Sequence, residues 1–256
     1  MTKSTLQSVV DAERAELLEG KDGIEKAIIT RPHRGQTVAI GLLALDEVDA
    51  ANDWFQALTE EWPVYANSKW DSKYESEPRS PASLGPWGDY IDGLFAALLA
   101  RQTVDEIAAT VYERATEPFV DRLEKREFAH RIDFARALSS LILGNVTVET
   151  HLDRLEQNVA KHGSDWDQAR YVAYTRCIRA ILAGHSSEAE AGIEALLEFH
   201  RDHVASARDA DPVQKAVALD GTVMLALARR EGVAITVDHE RIPDALNDDE
   251  YYPVGE

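Results

Sequence analysis

The chain has a single cysteine, Cys177, so it forms no disulfide within itself and builds no thiolate metal cluster. Basic residues are few: 27 Lys and Arg stand against 46 Asp and Glu, for a formal net charge of -19. A surface this acidic repels nucleic acid and anionic membranes, so neither is expected as a partner. Long apolar runs are missing too. Val38–Leu45 is among the longest and is far too short to cross a bilayer. Met1–Gly20 lacks the continuous apolar stretch of a signal peptide, which makes the cytoplasm the expected location. There is no G-x-S-x-G, no phosphate-cradling glycine loop and no zincin motif. Two explanations of the acidity stay open: adaptation to high salt, which screens self-repulsion, or attraction of a basic partner.

What is present is enough apolar material for a core, 45% of 256 residues, with no low-complexity linker dividing it. One domain over residues 1–256 is the expectation. A recurring turn gives the architecture. Leu99-Ala100-Arg101-Gln102-Thr103, Leu143-Gly144-Asn145-Val146-Thr147 and Ala183-Gly184-His185-Ser186-Ser187 each follow an apolar helical run and end in Thr or Ser. Their small residues lie 44 and then 40 positions apart, the period of stacked helical hairpins. Thr103 with Glu106, and Ser187 with Glu190, have capping-box spacing. The fold class is therefore all-α, stacked hairpins in a bundle or short solenoid, closing with a short extended segment.

Helices are expected from the N-terminus to about Gly20, over Thr37–Trp62 with Pro63 as a stop, and then as pairs: Asp89–Arg101 with Val104–Thr116, Glu127–Leu143 with Val148–His162, and Asp165–Ala183 with Glu188–Ala205. Val213–Arg230, apolar around most of its circumference, reads as the central helix. Val233, Ile235 and Val237 then alternate as an extended segment does, without a second run to pair with.

Candidate chemistry is thin. Glu127-Phe128-Ala129-His130 has the spacing of a di-iron helix ligand pair, but no second copy exists. His200 and His203 share a helix, and His200 falls on its apolar stripe, so a core histidine beside a surface one is the simpler reading. Neither pair is assigned a metal, and no cofactor is expected. Cys177 lies on a small-residue stripe and reads as a buried hydrophobe. Asp220, amid the apolar positions of the last helix, either pairs with Arg176 or Arg179 of a neighbouring helix or does acid–base work. No catalytic residue is assigned. The segment Asn67–Gly88 keeps no helical or strand period and carries Trp70, Tyr74 and Trp87. Aromatic side chains of this kind dominate interface hot spots, so Trp70, Tyr74 and Trp87 are the candidate partner-binding residues. Asp165 and Asp167, on either side of Trp166, join them, with a helix-capping role as the competing explanation.

The C-terminal region carries a resemblance. Val223-Met224-Leu225-Ala226-Leu227-Ala228-Arg229-Arg230-Glu231-Gly232-Val233, then Thr236-Val237-Asp238 and Ile242-Pro243-Asp244-Ala245-Leu246, resembles the ending of the Immunity protein 49 family. The likeness is specific over Ala216–Leu246, architectural over Asp89–Ala205, and does not extend to Met1–Gly88. After Leu246 the chain departs from the pattern, with Asn247 and an acidic stretch. The resemblance implies a helical-hairpin bundle that binds and neutralises a cognate toxin of a polymorphic toxin system, without catalysis. Alternatives of other classes are a small-molecule enzyme using Asp220 and a generic helical-repeat scaffold.

Overall fold

The structure is a computed structural model describing residues 2–29, 31–68, 86–116, 120, 129–248 and 250–252. Among the described residues the chain forms α1 (Lys3–Leu18), α2 (Ile24–Ile28), α3 (Pro32–Ala44), α4 (Val48–Ser68), α5 (Pro86–Ala100), α6 (Val104–Thr116), α7 (Ala129–Ile142), α8 (Val148–His162), α9 (Asp165–Leu182), α10 (Ser186–Phe199), α11 (Pro212–Ala216) and α12 (Leu219–Arg230). A π-helical turn, His200–Ala205, prolongs α10, and a 3-10 turn spans Asp244–Asn247. Successive helices pack on one another, most extensively α4 on α5, α9 on α10, α3 on α4 and α7 on α8. The architecture is all-α, as the repeated turns predict. No strand forms among the described residues.

The turns explain the stacking. Gly144 and Gly184 sit at φ 65° and 70°. At the first, Asn145 N–H donates to Ser140 C=O at 2.9 Å and Gly144 N–H to Leu141 C=O at 3.0 Å. His185 and Gly184 repeat the pattern onto Ala180 and Ile181. This is the Schellman closure, which satisfies carbonyls that a helix end would otherwise leave open. The first copy differs: Arg101 supplies the left-handed residue, at φ 59°. Tyr251 from the chain's far end offsets that strain, accepting from Arg101 Nη1 at 3.1 Å and donating its hydroxyl to Leu99 C=O at 2.6 Å.

Several local expectations are corrected. The box at Ser187 and Glu190 is not made: His185 is the N-cap of α10, and the Ser187 hydroxyl turns to Glu188. Thr103 lies at φ 51°, away from the extended backbone that a capping box uses. The box forms instead at Ser164 and Asp167, ahead of α9. Thr37–Trp62 is not one helix but parts of two, broken where Asp46 adopts φ 70°. Aspartate reaches this region more readily than most residues, so neither Gly nor Pro announces the break. Pro63 lies inside α4 rather than ending it.

The expected last helix divides into α11 and α12, and Ala218 N–H between them donates to Arg241 C=O at 2.9 Å. From Asp220 to Arg229 α12 is buried, and it contacts α5, α9 and α10. Beyond it Val233, Ile235 and Val237 are buried while Ala234 and Thr236 are exposed, the alternation of an extended chain. The pairing partner is one side chain. Asn247 accepts from Val237 N–H at 3.0 Å and donates to Val237 C=O at 2.9 Å.

Buried Cys177 lies under Gly192, where an added Cβ would meet its backbone at 2.7 Å, so α9 and α10 cross in close contact. Burial pushes the Cys177 thiol up to about 12, the behaviour of an inert core residue. No helix among the described residues is long and apolar enough to cross a membrane.

Candidate functional site

Trp70 and Tyr74 lie outside the described residues. Trp87 does not present its ring to a partner: it is 0% exposed, 5.5 Å from the Tyr90 ring, in the first turn of α5. Its helix begins at Pro86, earlier than expected, and that turns the indole inward. The Tyr90 hydroxyl reaches Asn67 at 2.6 Å and ties the start of α5 to the end of α4.

At the start of α9 the structural role of the acids is visible. Ser164, not Asp165, is the N-cap. Asp167 accepts from Ser164 N–H at 3.1 Å and from its hydroxyl at 2.7 Å, and lies 3.4 Å from His130 Nε2. Although burial works the other way, the Ser164 bonds hold the Asp167 carboxyl below the usual range. Asp165 is exposed in the same turn. Between them Trp166 stays 36% exposed and meets Phe199 edge-on at 5.1 Å.

Trp166 stands at the rim of a cleft of about 250 Å³ formed by α3, α9, the end of α10 with its π-helical turn, α11 and α12. The end of α10 and its π-helical turn carry Phe199, His200 and Val204 to one wall, and such turns recur at functional sites. His200 is a satisfied core histidine, with Nε2 2.7 Å from Gln214 C=O and Nδ1 3.3 Å from Arg241, while His203 is exposed. Opposite, α3 contributes Gln36, Thr37 and Ile40 with the exposed ring of His33.

The floor holds the charge. Arg170, one turn beyond Trp166, binds Asp220 with both prongs, Nε to Oδ2 and Nη2 to Oδ1, each at 2.8 Å. Asp220 thus pairs with Arg170 rather than Arg176 or Arg179. Arg179 is occupied on another face by Glu149, Asp153 and Glu156 of α8. Three aromatic rings surround the Arg170 guanidinium, Trp166 at 5.1 Å, Tyr174 at 5.6 Å and Tyr171 at 5.9 Å. Asp92 of α5 lies close by. Burial raises it to about 7 against the pull of Arg170, with Asp89 adding to the rise. Asp89 itself faces His33 at 3.7 Å.

Chemically the floor of the cleft is a bidentate Arg170–Asp220 pair set beneath aromatic rings. Both Asp220 oxygens accept hydrogen bonds from the Arg170 guanidinium, the bidentate geometry of an arginine–carboxylate pair. The cleft joins aromatic walls to a few convergent polar groups. Sequence reading singled out Asp220 and Trp166 but missed Arg170, His33, Gln36 and Asp92. One signal was legible: Trp166, Arg170 and Tyr174 recur at i, i+4 and i+8, a single face of α9. Among the described residues no group of three or more His, Cys, Asp or Glu is placed to hold a metal ion. Glu127 of the Glu-x-x-His pair lies outside them.

Residues 36–246 match the family model described as Immunity protein 49. That span covers most of the chain, which therefore belongs to the Immunity protein 49 family. It begins well before the C-terminal segments that carry the resemblance and includes every residue lining the cleft except His33. No curated protein and no solved structure matches.

Proposed function

We propose that this member of the Immunity protein 49 family is the stoichiometric antidote to one cognate toxin of a polymorphic toxin system, acting in the cytoplasm by binding and without catalysis. The family match over residues 36–246 carries the reading. The bidentate lock of Asp220 onto Arg170 supports the non-catalytic part, because the acid that an enzyme reading would use already has both oxygens engaged. The surface proposed for the toxin is the exposed start of α9, Asp165 and Trp166, together with Trp70 and Tyr74. Trp87 drops out because it is buried, and Asp167 contributes chiefly as a cap.

Co-expression with the toxin encoded beside this gene tests the reading. The chain should restore growth and co-purify with the toxin, and a double Trp70→Ala, Tyr74→Ala variant should fold yet protect less. A growth arrest unchanged by the chain overturns it.

A further inference from the structure

We infer that Tyr251 and Tyr252 form a latch on the α5–α6 hairpin. They hold its turn in a conformation that the turn's own residues do not favour. The hairpin therefore has a latched state, seen here, and an unlatched one in which the last turn of α5 frays. The inference goes beyond the immunity reading and stands apart from it.

The turn itself raises the question. At Gly144 and Gly184 the left-handed conformation falls to glycine, which adopts it freely. Between α5 and α6 it falls to two residues with side chains, Arg101 at φ 59° and Thr103 at φ 51°. A Cβ in this region crowds the backbone carbonyl, and a β-branched residue such as Thr103 is a rare occupant. Such a backbone persists only where its surroundings over-determine it.

Those surroundings come from the far end of the chain. After α7, the Leu141 carbonyl accepts the turn's own Gly144 N–H at 3.0 Å. The corresponding carbonyl of α5, that of Leu98, accepts the Tyr252 hydroxyl, and its neighbour Leu99 accepts the Tyr251 hydroxyl at 2.6 Å. Two phenols, 154 and 152 positions away, thus cap carbonyls at a helix end. Arg101 is gripped as well. Its Nη1 donates to Tyr251 C=O at 3.1 Å, and its guanidinium lies 4.4 Å from the centre of the Tyr251 ring.

The latch arrives as one piece. Tyr251 N–H donates to Asp248 C=O at 3.0 Å, and Glu250 N–H donates to Asp248 Oδ1 at 2.9 Å. The two buried rings stand 5.8 Å apart. The turn lies inside the span 36–246 that matches the family, and the latch lies outside it. Few contacts need to break for it to open, which is the scale of a local rather than a global unfolding event.

Hydrogen exchange on the full chain, followed residue by residue by NMR, tests the latch. The reporters are the Leu99 and Ala100 amides in the last turn of α5, and the Ile107 N–H, which donates to Thr103 C=O at 3.0 Å. Tyr251→Ser combined with Tyr252→Ser should speed their exchange by about tenfold or more and leave the Ile178 and Ile181 amides of α9 unchanged. Adding Arg101→Gly should slow the reporters again by about threefold or more, because glycine holds the left-handed turn unaided. In the parent the same substitution should not slow them, since the latch already holds residue 101. A loss of packing alone would not respond to residue 101 in this way. Tyr251→Phe combined with Tyr252→Phe keeps the rings and removes only the hydroxyls. It should show the same pattern at smaller amplitude, and it carries the comparison if the serine pair does not fold. Unchanged reporters, a rise shared equally by α9, a rise that Arg101→Gly leaves in place, or an equal slowing by Arg101→Gly in the parent overturns the latch.

Discussion

His151 shows what burial does to a single residue. Its ring lies between α8 and α6, 6.2 Å from Tyr112, and among the described residues neither nitrogen has a hydrogen-bond partner. Burial, reinforced by Arg136 and Arg154, lowers it to about 4. An unfolded histidine takes up its proton near 6.5, so the unfolded chain binds more protons than the folded one between those values. Stability is therefore complete above about pH 6.5 and falls as pH drops toward about 4, by on the order of 3 kcal/mol from this residue. Burial also lowers His130 and His200, which act in the same direction. The melting temperature should fall between neutral pH and pH 5, and His151→Leu should flatten that slope. An equal slope in the variant would show that His151 does not set it. Residue roles of this kind were only partly legible in the sequence. Sequence alone marks Asp220 as a buried acid but points to Arg176 or Arg179 as its partner, six and nine positions along α9 and on other faces of that helix from Arg170. Nothing local to α9 says which of its faces meets α12.

At the scale of elements the turns were the readable part. Glycine at a fixed offset after an apolar run predicted helix ends at Gly144 and Gly184, and both adopt the left-handed conformation. A β-branched side chain is strongly disfavoured there, so Gly144→Val and Gly184→Val should each lower stability by about 1–2 kcal/mol, read as a fall in the denaturant midpoint. No Cβ clash adds to this, because nothing lies within 4 Å of either position. Unchanged midpoints would mean that the Schellman closures contribute nothing. Breaks made by ordinary residues were not readable. Asp46 splits α3 from α4 through an aspartate, and Pro63 continues a helix that its type usually ends. The Asn247 clamp on Val237 was hidden for a different reason. A side-chain amide standing in for a neighbouring strand leaves no periodic pattern.

The whole molecule is set by charge and by the site that charge surrounds. Many exposed carboxylates lie close together, such as Glu149, Asp153 and Glu156, which share Arg179. If the acidity is salt adaptation, stability should climb as a neutral salt rises from about 0.1 M to about 1 M, where the Debye length shrinks from about 10 Å to about 3 Å. A flat or falling melting temperature would assign the charge to partner attraction instead. Fold class and family were both visible in the sequence, since each rests on patterns that repeat or persist along the chain. The cleft was not, because it gathers residues from α3, α9, α10, α11 and α12 that only tertiary packing brings together.

Stoichiometry tests the central claim most directly. Purified toxin, held at a concentration well above the dissociation constant, is titrated with the purified chain while its activity is followed. Binding without turnover predicts a straight decline that reaches zero at one equivalent. Toxin silenced by a small fraction of an equivalent, or left active at a large excess, would contradict it.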